Sequence, residues 1–275
     1  MMAQKQKKVL LMHRLIDEGF FADEKEAAAF IMAGDVLVDG QKAKGGMKVN
    51  ADARIEVKGK DMPFVGKGGF KMTGALEDFH LNVTGRVCID AGACTGGFTD
   101  CLVQRGAKLV YAVDVGFGQL MGKLRQEQRV VNLERTNISD EKLLTLSPRP
   151  DFGTVDVSYL SLRKAVPYFA AVLHGEGDLV CLVKPLFEID DAEARRTGVI
   201  REEQYAPLLS DLIDDINAME GARCMALSHS HVTGNAGTRE FFLHVRLGEN
   251  GETPDIKHQI PGAVERAGAL EQYKK

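Results

Sequence analysis

Tryptophan is absent from this 275-residue chain, and its five cysteines are sparse and scattered. No two of them form a C-x-x-C pair, which removes the usual zinc and redox spacings, and an odd count cannot form a fully paired disulfide framework. Cys88 and Cys181 fall inside apolar runs and read as reduced core residues. No apolar stretch approaches the roughly 18 residues of a membrane-spanning helix. The short run VLLM behind the basic start MMAQKQKK is broken by His13 and Arg14, so a secretory signal is not expected. These absences lead to the expectation of a cytoplasmic protein with no membrane and no metal partner. Strong positive charge is missing as well. The net charge is −4, with +2 on residues 1 to 60 and −6 on the rest, which excludes a uniformly basic nucleic-acid binder. A modestly basic end on an acidic body fits local RNA contact and a solvated surface equally well.

What is present centres on Arg86 to Asp100, RVCIDAGACTGGFTD. A short apolar run stops at Asp90, passes through Gly92, Gly96 and Gly97, and enters an amphipathic segment. This is how a doubly wound α/β domain opens, with ligands at the carboxyl ends of its strands. A dinucleotide site needs G-x-G-x-x-G for close approach to a pyrophosphate. The D-x-G-x-x-x-G-G here resembles instead the first motif of S-adenosylmethionine-dependent methyltransferases. The next apolar run, KLVYAVDV, ends in Asp114 about twenty residues on, where an acid can accept hydrogen bonds from ribose hydroxyls.

Along the chain, Met12 to Gly34 reads as two short helices. Val36 to Val38, the turn Asp39-Gly40, Lys48-Val49 and Ile55 to Val57 supply strand. Residues 59–67 read as a linker. Gly118 to Gln128 is expected as a helix, and Arg129 to Asn137 as a third strand whose final amide either reads an adenine edge or caps the next turn. Asp156 closes a fourth strand and Lys184 a fifth, nearly all-apolar one. A lysine at the end of a buried strand is costly unless used or paired. Leu186 to Arg201 is expected as an irregular lid, Gln204 to Glu220 as a helix, Cys224 to Val232 and Glu240 to Leu247 as the last strands, and 251–275 as a polar tail.

Two resemblances follow from these residues. H-R-L-I-D-E-G-F with Ile31, Gly34, Val36, Val38 and Gly40 resembles the RNA-binding module first described in ribosomal protein S-four. It implies phosphate contacts from Arg14, Lys25, Lys42 and Lys44, and from Lys67 behind the module; Asp23-Glu24 stand where the module usually has Ser-Arg. Lys71, Asp156, Lys184 and Glu240, in G-F-K-M, D-V-S-Y-L-S-L, L-V-K-P-x-F-E and G-x-x-E-F, resemble the Lys-Asp-Lys-Glu tetrad of FtsJ-type 2'-O-ribose methyltransferases. Nearly the whole chain is similar to the TlyA, or haemolysin A, family.

That resemblance implies a Rossmann-like methyltransferase domain over 68–250, with a mostly parallel seven-stranded sheet and the last strand antiparallel, behind a small α+β module over 1–58. It also implies S-adenosylmethionine held by Asp90, Gly92, Ala93, Thr95, Gly96, Gly97, Phe98, Asp114, Val115, Asn137 and Asp156. The implied activity is 2'-O-methylation of cytidine in ribosomal RNA, with ribosomal subunits as partners and Lys184 as base or alkoxide stabiliser. A non-catalytic RNA-binding factor and a membrane-active haemolysin are the alternatives. The second lacks any spanning segment or strongly basic amphipathic helix.

Overall fold

The computed structural model describes residues 8–18, 20–21, 23–50, 53–58, 63–234, 237–248 and 251–270. The basic start at 1–7, linker positions 59–62, Asn235-Ala236 in the final loop and the end of the tail lie outside the described residues. The chain divides into two compact units, Met1–Gly68 and Gly69–Lys275.

In the first unit, β1 (Val9–Leu10) leads into α1 (Leu11–Asp17) and α2 (Glu24–Ala33), followed by β2 (Val36–Val38), β3 (Gln41–Lys42), β4 (Lys48–Val49) and β5 (Ile55–Val57). Antiparallel pairing gives a three-stranded sheet β3-β2-β5 and a separate pair β1-β4. Leu11, Leu15, Phe21, Ile31, Val36 and Ile55 form its small core. Asp23 caps α2 by accepting the Glu26 N–H at 2.8 Å, so it does the helix-starting work that a serine would do.

The second unit begins within α3 (Lys67–Asp78). Strand and helix then alternate through β6 (Val87–Ala91), α4 (Gly97–Gln104), β7 (Leu109–Asp114), α5 (Gly122–Arg125), β8 (Val130–Glu134), β9 (Phe152–Val155), α6 (Leu162–Val172) and β10 (Gly177–Val183). After the short helices α7 (Pro185–Glu188) and α8 (Ala192–Thr197) come α9 (Glu202–Asn217), β11 (Ala222–His229), β12 (Phe241–Leu247) and α10 (Ile260–Ala269). The sheet order is β11-β12-β10-β9-β6-β7-β8, with β12 antiparallel to both neighbours. β6 and β10 are buried along their whole length, which is why they read as nearly all-apolar runs, with Asp90 and Asp178 as the one charged residue in each. The chain winds outward from β6 in both directions, so a crevice opens between β6 and β9 at the carboxyl edge.

Several sequence expectations are corrected. The helix placed over 118–128 shrinks to α5, because Gly118 adopts φ +74° and the Glu134 carboxylate holds the Gln119 N–H at 3.2 Å. β8 stops at Glu134, since Arg135 turns to φ +54°. The irregular lid contains two helices, α8 being capped by Asp191 and ended by Gly198 at φ +73°. The polar tail contains α10, whose Ile260, Ala263 and Ala267 join the main core.

One buried charge cluster holds the amino edge of the sheet. Asp178 on β10 accepts from Arg86 Nη1 at 2.7 Å, His244 Nε2 at 2.9 Å and Arg246 Nη1 at 2.7 Å. Burial alone would raise its carboxyl pKa, but these donors hold it well below the ordinary carboxylate range. Asp178→Asn is therefore expected to cost about 2 kcal/mol at pH 7, because it removes the buried carboxylate that accepts from the part-exposed Arg86 and Arg246 and from His244. Since the folded pKa is depressed, the wild-type contribution is complete above the unfolded value of about 4 and is lost as pH falls through the folded value. Denaturant unfolding of both proteins should show the gap narrowing on acidification; a gap that widens would refute this account.

Candidate active site

The loops after β6, β7, β8 and β9 enclose a cavity of about 350 Å³. Gly92 and Cys94 come from the glycine turn, Asp114 and Val115 from the end of β7, Thr136 to Ile138 from beyond β8, and Asp156 to Leu160 from beyond β9. Gly92 has φ +85°, and a Cβ there would fall 2.1 Å from the Asp156 carbonyl oxygen. Its freedom is used to let two strand ends meet. Gly96, at φ +100°, makes room for Leu124 in the same way. Asp114 pins both adjoining loops: Oδ2 accepts the Cys94 N–H at 2.8 Å and Oδ1 the Gly116 N–H at 2.7 Å. Each oxygen keeps a second lone pair for a ligand hydroxyl.

Of the residues expected to hold a nucleoside, Gly92, Asp114, Val115, Asn137 and Asp156 line this cavity. Asp90 does not. It has no exposed surface, and its oxygens accept Thr99 Oγ1 at 2.6 Å and Thr154 Oγ1 at 2.8 Å, tying β6 to α4 and β9. Burial pushes its carboxyl up to about 6 against the pull of the two threonines. Ala93, Gly96, Gly97 and Phe98 are buried behind the lining, and Thr95 accepts the Met121 N–H through its carbonyl. Asn137 uses Oδ1 to cap the following turn through Ser139, which realises the second of its two sequence readings. Gln119, Thr136, Ile138 and Ser158 were missed; their only signal was position just beyond a strand end.

A second cavity of about 390 Å³ adjoins the first, and the two share Asp156, Ser158 and Tyr159. Lys71 from α3, Asp156, Lys184 and Glu240 all line it. They form two ion pairs. Lys71 Nζ lies 2.5 Å from Glu240 Oε2, both side chains being at most one-tenth exposed, and Lys184 Nζ lies 2.5 Å from Asp156 Oδ1. The second contact lacks hydrogen-bond angles: Asp156 Oδ1 is buried with no hydrogen-bond partner, while Lys184 Nζ donates to Ser158 Oγ at 3.2 Å. Tyr159 stands almost fully exposed at the junction, in the left-handed region at φ +66°, with its ring 5.2 Å from that of Phe187.

Glu188 braces this wall. Its side chain is 2% exposed. Oε1 accepts the Leu162 N–H at 2.7 Å, and Oε2 accepts Ser161 Oγ at 2.6 Å and Arg163 Nη1 at 3.0 Å. The loop leaving Asp156 is thereby tied to the turn leaving Lys184, so the register of β9 on β10 fixes the second ion pair from one side and Glu188 from the other.

The expected RNA contacts divide. Lys25, Lys42 and Lys44 are exposed. Arg14 is instead a structural residue of the first unit, buried and bonded to Glu18 and to the carbonyls of Asn50 and Ala53. Lys67 opens α3 with its side chain buried, which removes it from a phosphate-facing role.

The FtsJ-like methyltransferase family matches residues 64–247. A Bacillus subtilis (strain 168) protein named as a candidate rRNA methyltransferase, YqxC, is 38% identical over 266 residues, spanning 95% of this chain and 94% of that protein. The 16S/23S rRNA (cytidine-2'-O)-methyltransferase TlyA of Mycobacterium tuberculosis (strain CDC 1551 / Oshkosh) is 37% identical over 235 residues, 84% of this chain and 87% of that one. Among solved structures, a candidate hemolysin from Streptococcus thermophilus has a TM-score of 0.76 at 33% identity, with 96% of each chain covered. Two thirds of this sequence fall within the matched family, and the chain belongs to the FtsJ-like methyltransferases.

Proposed function

We propose that the chain transfers a methyl group from S-adenosylmethionine to a ribose 2'-hydroxyl of ribosomal RNA, at a cytidine. The observation that carries this reading is the joining of the two cavities at Asp156: one is suited to a nucleoside, the other is lined by two lysine-carboxylate pairs. The donor set fits the cofactor, with Asp114 available to ribose hydroxyls and Val115 and Ile138 offering apolar surface to a purine. S-adenosylmethionine supplies a methyl group on a good leaving group.

The protein's task is then to hold a poor nucleophile in line and manage its proton. Lys184 is the group for this, either taking the hydroxyl proton or holding the developing alkoxide, with Asp156 fixing its direction. The buried Lys71–Glu240 pair forms another wall of the acceptor cavity and keeps its net charge near neutral. Tyr159 offers an aromatic face to an unstacked base, and the 2'-hydroxyl distinguishes RNA from DNA. Lys25, Lys42 and Lys44 serve as backbone contacts of the first unit, so binding should weaken with salt.

The test is incorporation of labelled methyl groups into ribosomal subunits lacking the modification, followed by nuclease digestion and mass spectrometry. A methylated cytidine ribose is expected. Absence of incorporation with RNA still bound would favour a non-catalytic binder, and a methylated base would refute the role of the tetrad.

Glu188→Ala should lower kcat by about 100-fold, because a displacement near 1 Å of the Asp156 or Lys184 loop is enough for such a loss. Cofactor affinity should fall less than kcat, since Glu188 holds the loop at Ser161 and Leu162, past the residues that line the nucleoside cavity. A loss of melting temperature with kcat unchanged in the folded protein would show that the brace is not needed for chemistry.

A further inference from the structure

Two turns beyond Lys71 on α3, Asp78 faces the end of β11, where the chain runs through His229 and Ser230 to His231. Two residues apart at the end of an extended strand, the histidines put their rings on one side, stacked with centroids 4.8 Å apart. His231 Nε2 lies 2.9 Å from Asp78 Oδ2, which also accepts a hydrogen bond from Ser228 Oγ. The His231 ring rests on α3 at Gly74: a Cβ there would come within 2.7 Å of its Cγ and Nδ1. That contact seats the Cγ end of the ring on the helix, and Nε2 is the nitrogen that faces Asp78. One donor atom from each of Asp78, His229 and His231 lies within 4.8 Å of the other two. None of the three lines either cavity of the active site.

We propose that Asp78, His229 and His231 form a binding site for a divalent transition-metal ion of the zinc class, separate from the catalytic pocket. Two imidazoles and a carboxylate are borderline donors that suit zinc and leave one position for water. The ion takes the place of the proton now between His231 Nε2 and Asp78 Oδ2. Two bonds of zinc length at a tetrahedral angle need these atoms about 3.3 Å apart, so the 2.9 Å pair has only to open by a few tenths of an ångström. Ser228 Oγ stays on the carboxylate and orients it. Arg266 Nε, 3.4 Å from His229 Nδ1, is the cation the ion has to displace. Once bound, the ion clamps the end of α3, which carries Lys71, to β11 and the loop leading to Glu240. Cysteine spacing gave no hint of this site, because Asp78 lies about 150 residues from the histidine pair in sequence.

The test is to strip the full chain with EDTA, exchange it into chelator-free buffer and titrate it with zinc chloride by calorimetry, with thermal unfolding alongside. One equivalent should bind and raise the unfolding midpoint. His229→Ala and His231→Asn should each weaken binding by about tenfold or more, and Arg266→Ala should strengthen it, with circular dichroism confirming that each variant is folded. A His229→Ala/His231→Asn double variant that binds zinc as tightly as the wild type would assign the metal to another group, such as the exposed Cys94 thiol, and overturn the proposal. So would a wild type whose midpoint does not respond to zinc.

Discussion

Lys184→Ala should lower the rate of methyl transfer by about 1,000-fold, the middle of the range for a lost general acid or base. Cofactor affinity should stay within a few fold, because Lys184 lines only the acceptor cavity while Asp156 alone of the tetrad lines both. The substitution also takes the Lys184 ammonium away from the buried Asp156 Oδ1. Part of the loss therefore comes from a carboxylate no longer neutralised beside the reacting hydroxyl. Lys184→Arg separates the two roles open to the lysine. Arginine keeps the charge but cannot give up its proton in a protein. If Lys184 acts as a base, the arginine variant should be as inactive as alanine in single-turnover assays. Substantial recovery would mean that the cation works by stabilising charge alone. Transfer that persists undiminished in Lys184→Ala would remove the residue from the mechanism.

How far the site could be read in advance depends on whether a residue works near its own element or across the fold. Asp114, Asp156 and Lys184 were legible because a charged residue closing an apolar strand must lie at the carboxyl edge of a buried sheet. Lys71 and Glu240 came from a family resemblance, since local pattern alone makes the first an ordinary helix lysine. Asp90 was misjudged for a related reason. A strand-end acid before a glycine turn looks aimed at a ligand, and only the threonines on α4 and β9, nine and 64 positions away, show that it is consumed inside the protein. Glu188 sits three residues past Pro185 in a stretch read as an irregular lid; Ser161, Leu162 and Arg163, which it holds, all lie at the start of α6. Arg14 repeats the lesson in the first unit, where a basic residue in an RNA-binding pattern spends its donors on two carbonyls some forty residues away. The α10 segment was lost because two of its four core positions are alanine, at 263 and 267, which weakens the apolar periodicity.

The glycine turn gives a prediction of comparable size that separates two explanations of why glycine is there. If Gly92 served only to admit a ligand close to the backbone, as glycines do in phosphate-binding loops, alanine would weaken ligand binding and spare the fold. The structure gives it a different task. A Cβ would stand 2.1 Å from the Asp156 carbonyl oxygen, and φ is +85°, so backbone on β6 or β9 must move. Left-handed strain costs about 1–3 kcal/mol by itself, and the clash adds to it. Gly92→Ala should thus lower stability by about 3 kcal/mol or more, near 6–12 °C in melting temperature for a domain of this size. Because the displaced atoms belong to Asp156, cofactor affinity and methyl transfer should fall together. Gly118→Ala is the control, having a similar φ of +74° but open space where its Cβ would go, so it should show only the strain cost of about 1 kcal/mol. Equal melting losses in the two variants would mean that the contact with Asp156 is not what requires glycine at position 92.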